Sequence, residues 1–268
     1  MSNIINITKS LINLKQASVI WNKVFARIGE QFSKNDNSLN LAWLAQNKQD
    51  FSTYAETLNN DLWQEALEYS KLLEQHSQEV LSKLDVKLGG GGFYPLIYFI
   101  TRYLKPETIL ETGVAAGYSS HAFLSALRKN KEQNQIASEL YSSDFPYFRL
   151  DEPEKYIGIL VPEELQEDWH LFIDGDAKNL PQILNKVEKV DLFHYDSDKR
   201  YAGRKKAMEL VSPKLAQDAI VIMDDIDDNA FFMELCQSSD RQYRIFEFGG
   251  KYIGLLGDLE ATSLVGKD

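Results

Sequence analysis

The chain has 268 residues, in which 40 acidic side chains outnumber 29 basic ones and leave a formal net charge of −11. No Lys/Arg cluster stands out, so the footprint of a nucleic-acid binder is missing and a polyanionic substrate is disfavoured. A single cysteine, Cys236, excludes an intramolecular disulfide framework and fits a reducing compartment. Residues 1–11 lack a basic stretch followed by an apolar run and a small-residue cleavage site. The longest nearly apolar run, 93–100, falls far short of the ~20 residues a membrane-spanning helix requires, so a cytoplasmic protein is expected.

Residues 1–88 read as a helical N-terminal extension. Ile7, Leu11, Leu14, Trp21, Phe25, Ile28 and Phe32 fall on one face at three-to-four-residue steps. A polar linker over 33–40 separates them from a second stripe, Tyr54, Leu58, Leu62, Ala66, Leu73, Val80 and Leu84, with Thr53 and Glu56 as a capping box. Such stripes serve packing against the main domain, a wall of its pocket, or contact with a second subunit in a homodimer. From residue 89 the character changes, because Gly89 to Gly92 break any helix and Pro95 suits the first turn of a new one. Strands are expected at 108–112, 139–143, 170–173, 190–195 and 219–223, with helices near 118–130, 178–186, 201–211 and 229–238. That βα repetition predicts a parallel sheet covered on both faces. Strands at 243–248 and 251–256, separated by Gly249 and Gly250, predict a closing antiparallel hairpin. The second unit therefore spans 89–268.

The strongest local signal is Glu111-Thr112-Gly113-Val114-Ala115-Ala116-Gly117-Tyr118-Ser119-Ser120, placed where a strand meets a helix. Glycines there let the backbone approach a ligand, and the helix start favours an anionic group. A dinucleotide-binding G-x-G-x-x-G arrangement and a P-loop Gly-Lys-Ser/Thr ending are both absent. The run resembles the first motif of class I S-adenosylmethionine-dependent methyltransferases, an acidic residue followed by a G-x-x-x-G turn, matched by Glu111, Gly113 and Gly117. That resemblance implies a Rossmann-like, seven-stranded methyltransferase fold whose turn, from Glu111 and Thr112 to Tyr118 and Ser119, cradles the amino-acid end of the cofactor. It also implies that Asp144 accepts hydrogen bonds from the ribose hydroxyls. The lesser alternative for Asp144 is a turn residue before Pro146. The Asp174-Gly175-Asp176-Ala177 segment resembles the family's Gly-Asp-Ala segment, which places Asp176 and Ala177 beside the adenine, although the aspartates could simply cap the next helix.

Two acidic clusters end the fourth and fifth parallel strands, Asp196-Ser197-Asp198-Lys199 and Asp224-Asp225-Ile226-Asp227-Asp228. Carboxyl ends of neighbouring parallel strands open into one crevice, so the clusters should meet there. Crowded carboxylates repel, and a divalent cation resolves the conflict; oxygen-only ligation suits Mg²⁺, Mn²⁺ or Ca²⁺ better than zinc. These motifs resemble those of metal-dependent small-molecule O-methyltransferases of the catechol, caffeoyl-CoA and macrocin types. By position that resemblance implies Asp196, Asp224 and Asp225 as metal ligands and Asp198 or Lys199 as the base. His194 reads as a packed residue, and Asp227 and Asp228 also suit the start of the following helix.

The function implied is metal-assisted transfer of a methyl group to a small-molecule hydroxyl on a sugar, glycosylated metabolite or phenol, under an aromatic-rich excursion at 145–169 that could act as a lid. Two rivals stand beside it: a methyltransferase needing no metal, acting on nitrogen or a lone hydroxyl, and a fold relative that does not methylate, being hydroxylase-like or binding a metabolite.

Overall fold

The computed structural model describes residues 37–147 and 150–262. The first amphipathic stripe, Ile7 to Phe32, the beginning of the polar linker and Phe148 of the expected lid lie outside the described residues. The elements in chain order are α1 (Ser38–Asn47), β1 (Lys48–Gln49), α2 (Phe51–Leu81), α3 (Tyr94–Leu104), β2 (Thr108–Thr112), α4 (Tyr118–Asn134) and β3 (Glu139–Ser143). They continue with β4 (Trp169–Phe172), α5 (Asp176–Leu184), β5 (Val190–Tyr195), α6 (Tyr201–Val211), β6 (Leu215–Met223), α7 (Phe231–Gln237), β7 (Tyr243–Phe248), β8 (Lys251–Leu256) and α8 (Leu259–Thr262).

One eight-stranded sheet runs in the order β1-β7-β8-β6-β5-β2-β3-β4. Every pairing is parallel except those of β8, which runs antiparallel to both β6 and β7. The expected parallel sheet with a closing hairpin is thus the architecture observed, with one strand more than expected. The extra strand is β1, a two-residue edge in which Lys48 pairs with Ile245 and Gln49 with Phe246. So short a strand has no periodicity of its own, and it is held by β7 and by the Lys48–Glu247 contact at 2.6 Å.

Alternation along the strands divides the core into two layers. Ile109, Leu192, Ile220 and Ile222 face α2, α3 and α4, and bury Trp63, Leu73, Phe99 and Phe123 with them. Leu110, Phe193, Val221 and Met223 face the other way, onto α5, α6 and α7. Helix α2 begins two residues before the Thr53–Glu56 capping box, because Asp50 is the N-cap and its Oδ2 accepts from Thr53 N at 2.7 Å. That start carries Phe51 into the core, against Trp63 and Phe246. Asn59, at φ −166 and ψ 97, breaks α2 and caps its second part by accepting from Leu62 N at 3.0 Å. No helix among the described residues is long and apolar enough to cross a membrane.

Helix α2 is pinned to α4 and to the segment after β3 through polar contacts as well. Tyr69 Oη lies 2.8 Å from His121 Nδ1 on α4, and the Ser125 hydroxyl lies 3.1 Å from the same nitrogen. His76 Nε2 sits 2.9 Å from the carbonyl of Leu160. Burial, reinforced by neighbouring His76, pushes the His121 imidazole down to about 4 from the ordinary 6.5. Between those values the unfolded chain takes up a proton that the folded one refuses. Folding stability is therefore expected to fall by roughly 2–3 kcal/mol as pH drops from about 6.5 to about 4, then to level off for this group. Urea unfolding midpoints of the wild type and of His121→Gln across that range check this; the variant should lose most of the slope.

Candidate active site

The turn between β2 and α4 is built around a buried carboxylate. Glu111, fully buried at the end of β2, accepts hydrogen bonds from the hydroxyls of Ser119 at 2.5 Å, Ser120 at 2.6 Å and Ser142 at 2.7 Å. It thereby ties the first turn of α4 and the adjacent strand to one anchor, and the Ser119 hydroxyl is turned inward to it. Gly113, Ala115 and Gly117 all have positive φ, at 87°, 49° and 99°. At Gly113 the requirement is also spatial, since a Cβ there would lie 2.2 Å from the carbonyl oxygen of Asp196. Helix α4 has no side-chain cap, which leaves its N-terminus suited to an anionic ligand group. Thr112 is buried at the strand end, its carbonyl accepting from Asp196 N at 2.9 Å. Tyr118 stacks on Tyr94, and its ring closely underlies Gly91.

Asp144 follows β3 and takes the amide of Ala115 on Oδ2 and that of Phe145 on Oδ1, both at 2.6 Å. Asp176, the first residue of α5, accepts from Ser143 Oγ at 2.6 Å and Ser197 Oγ at 2.5 Å, joining the ends of β3 and β5; Ala177 beside it is exposed. The excursion after β3 is laced to the glycine turn: Gly158 N donates to Ala115 O at 2.9 Å and Leu160 N to Ala116 O at 3.0 Å. Trp169 belongs to β4, packs on Gly158 and donates its indole N–H to Ser142 Oγ at 2.9 Å, so it is a fixed part of the wall.

The acidic clusters do meet, through lysines. Lys199 Nζ contacts Asp196 Oδ1 and lies 2.8 Å from Asp225 Oδ2, while Lys251 Nζ lies 2.7 Å from Asp225 Oδ1. Burial raises the Asp225 carboxyl pKa, but the two ammonium groups outweigh it and hold it below the usual value. Asp224 turns away from this group. It is buried, with Oδ1 3.4 Å from His194 Nε2, and the backbone of Gly92 passes so close that a Cβ there would lie 2.5 Å from Oδ2. His194 is buried against Phe123, as a packed residue should be, with Nδ1 3.9 Å from Glu111 Oε1. Asp198 forms a fork with Arg200, whose Nε lies 2.8 Å from Oδ1 and Nη2 2.5 Å from Oδ2. Among the described residues no three His, Cys, Asp or Glu side chains converge as a metal-ligating group. As arranged, Asp196 and Asp225 enclose an ammonium and Asp224 serves His194, which does not fit the three-carboxylate ligand set expected for a divalent cation.

Residues 110–226 match the family model described as a methyltransferase domain. Over that stretch, less than half of the chain, the sequence is similar to a methyltransferase domain. The domain holds the glycine turn, Asp144, Asp176 and both acidic clusters as far as Ile226, so the expected class I methyltransferase is borne out by sequence family and by fold. Among solved structures, the O-methyltransferase TomG of Streptomyces achromogenes, in complex with SAM, is 16% identical with a TM-score of 0.54, covering 69% of this chain and 88% of its own. A putative caffeoyl-CoA O-methyltransferase from Staphylococcus aureus is 15% identical with a TM-score of 0.52, covering 71% and 98%. An O-methyltransferase from Bacillus cereus, in complex with SAH, is 14% identical with a TM-score of 0.50, covering 74% and 91%. At these identities the likeness is one of fold. No curated protein matches the sequence.

The sequence reading overlooked two functional candidates around the methyltransferase domain. Lys251 reaches the crevice from a hairpin beyond the domain, and only the antiparallel register of β8 brings it to Asp225. Gly91 and Gly92 read as helix breakers, yet they let the chain pass over Tyr118 and Asp224.

Proposed function

We propose that the protein methylates a hydroxyl of a small molecule, using S-adenosylmethionine, with Lys199 handling the acceptor proton. The observation that carries this reading is the shared crevice: the Gly113–Asp196 close approach sets the uncapped start of α4 beside the Lys199–Asp196–Asp225 group. When bound, S-adenosylmethionine supplies a sulfonium-borne methyl group that an oxygen displaces in line, the sulfur leaving as a thioether with the bond's electron pair. Glu111 fixes the turn, the α4 N-terminus receives the amino-acid carboxylate, and Asp144 takes the ribose diol. Asp176 and Ala177 border the adenine side. Tyr118 and Tyr94, with Gly91 and Gly92 above, form a wall that excludes water. Lys199 Nζ, an ammonium between two carboxylates, hands one of its protons to Asp196 or Asp225 as it takes the proton of the acceptor oxygen, so the proton ends on a carboxylate and the lysine relays it as general base. Asp198, committed to Arg200, is the weaker candidate for that role.

A divalent cation is the second reading, favoured by the gathering of Asp196 and Asp225 around one positive charge. It requires Lys199 to swing out and Asp224 to leave His194, with Asp196, Asp224 and Asp225 as ligands. Calorimetric titration with S-adenosylmethionine, then methyl transfer to 1,2-dihydroxybenzene and to monosaccharides with and without EDTA, tests both. Cofactor binding with turnover retained in EDTA is the expected result. Turnover lost in EDTA and restored by Mg²⁺ selects the cation. An absence of cofactor binding refutes the proposal as a whole. The amphipathic pattern of the N-terminal sequence suits a homodimer contact, which the sedimentation coefficient of the full chain checks.

A further inference from the structure

Among the described residues Arg204 is the largest fully buried side chain, at 1% exposure, and it lies directly beneath the proposed acceptor side. It projects from the first turn of α6, where its guanidinium forks to main-chain carbonyls. Nε donates to Lys199 O at 3.2 Å, Nη1 to Asp224 O at 2.9 Å and Nη2 to Asp225 O at 2.7 Å. Those carbonyls belong to two separate loops, one after β5 and one after β6. Asn229 reinforces the junction by donating from Nδ2 to the same Lys199 carbonyl at 2.7 Å. The Tyr195 ring lies 5.9 Å from the guanidinium carbon, and the Tyr195 hydroxyl holds the Asp198 carbonyl at 2.8 Å.

Two physical points make this more than packing. Asp225 has φ 52, a left-handed conformation that costs a non-glycine residue free energy and persists only when its surroundings enforce it. Here its carbonyl is held by Arg204 and its carboxylate by Lys199 and Lys251. Secondly, a buried cation is costly unless its donors are satisfied, and the planar fork of arginine reaches three carbonyls where the ammonium of lysine cannot hold the same geometry. Desolvation disfavours the Arg204 charge, while Tyr195, Asp228, Asp225 and Asp224 favour it. It therefore also supplies a fixed positive charge beneath the acidic crevice.

We infer that Arg204 is the positioning residue for the acceptor side of the site, setting Lys199 against Asp225 by clasping the main chain of both loops, without acting on the cofactor turn. This rests on the proposed role of Lys199. Misplacement of a reacting group by ~1 Å costs about 100-fold in rate, so Arg204→Met should lower kcat by about that factor per folded molecule. Arg204→Lys, which keeps the charge and loses the fork, should recover part of it. S-adenosylmethionine affinity should stay within about twofold in both, because Glu111 and the glycine turn make no contact through Arg204. Amide hydrogen exchange should rise in 197–203 and 224–230 and stay unchanged in 113–120. Turnover with 1,2-dihydroxybenzene or a monosaccharide, cofactor titration and exchange on the full chain read these outcomes. Unaltered kcat in both variants, or exchange rising equally in the glycine turn, overturns the inference; Arg204→Lys serves alone if Arg204→Met does not fold. A wild type that transfers no methyl group to any acceptor refutes the enzymatic reading, and the exchange pattern then decides the clasp by itself.

Discussion

Methyl transfer by Lys199→Met is expected to be slower than that of the wild type by about 10²–10⁴-fold, the usual contribution of a positioned base, with cofactor affinity unchanged. Among the described residues Lys199 is the basic group that touches both Asp196 and Asp225, and it is 31% exposed, within reach of an acceptor entering from solvent. Its loss also leaves two carboxylates facing each other without their shared cation. Two controls sharpen the result. Asp198→Asn, which disturbs the fork with Arg200, should cost less than about tenfold if Lys199 is the base. Lys251→Met removes the outer cation on Asp225 and should have an intermediate effect, since Lys251 is 65% exposed and solvent replaces much of its contribution. Steady-state kcat and KM for each variant decide the matter; a fully active Lys199→Met together with an inactive Asp198→Asn would transfer the role to Asp198.

Gly113→Ala is expected to abolish cofactor binding and to destabilise the fold by about 2–4 kcal/mol. Two costs add. The backbone at φ 87 lies where side chains other than glycine's are strained by about 1–2 kcal/mol. A Cβ there would also lie 2.2 Å from Asp196 O and 2.6 Å from Asp196 C, main-chain atoms that cannot move aside as a flexible side chain could. Relief requires the glycine turn and the Asp196 loop to separate, which takes the two halves of the proposed site apart. Gly249→Ala is the comparison, with φ 60 but open space around the added methyl group. It should show the conformational cost alone and leave cofactor binding intact. Thermal unfolding and calorimetric cofactor titration of both variants measure the difference; normal binding by Gly113→Ala would show that the turn and the Asp196 loop need not touch.

Much of the scaffold is local information. The runs at 108–112, 139–143, 190–195, 243–248 and 251–256 are apolar enough and sharply enough bounded that their predicted limits coincide with the observed strands. Strand β6 begins four residues before its predicted start because Leu215, Ala216, Gln217 and Asp218 are not an apolar run; β-pairing extends over them, with Leu215 in register with Val190. Strand β1 escaped for a related reason, being two polar residues that exist as a strand only beside β7.

The sequence by itself determined that βα units form a parallel sheet, where a glycine-bearing turn interrupts it, and that acidic residues collect at two strand ends. Hydrophobic period, glycine position and residue type are properties of neighbouring residues, and they are readable without distances. What the carboxylates do was decided only in three dimensions. Glu111 became an internal anchor because the serines at 119, 120 and 142 surround it, and Asp224 was drawn to His194 one strand away. Asp196 and Asp225 were joined by Lys199, with Lys251 arriving from a hairpin 26 residues beyond Asp225 in the chain. Arg204, unremarkable on its helix, acquired its role from carbonyls of two loops. Charge pairing at 2–4 Å depends on which strands are neighbours and on side-chain direction, and neither quantity is carried by spacing along the sequence.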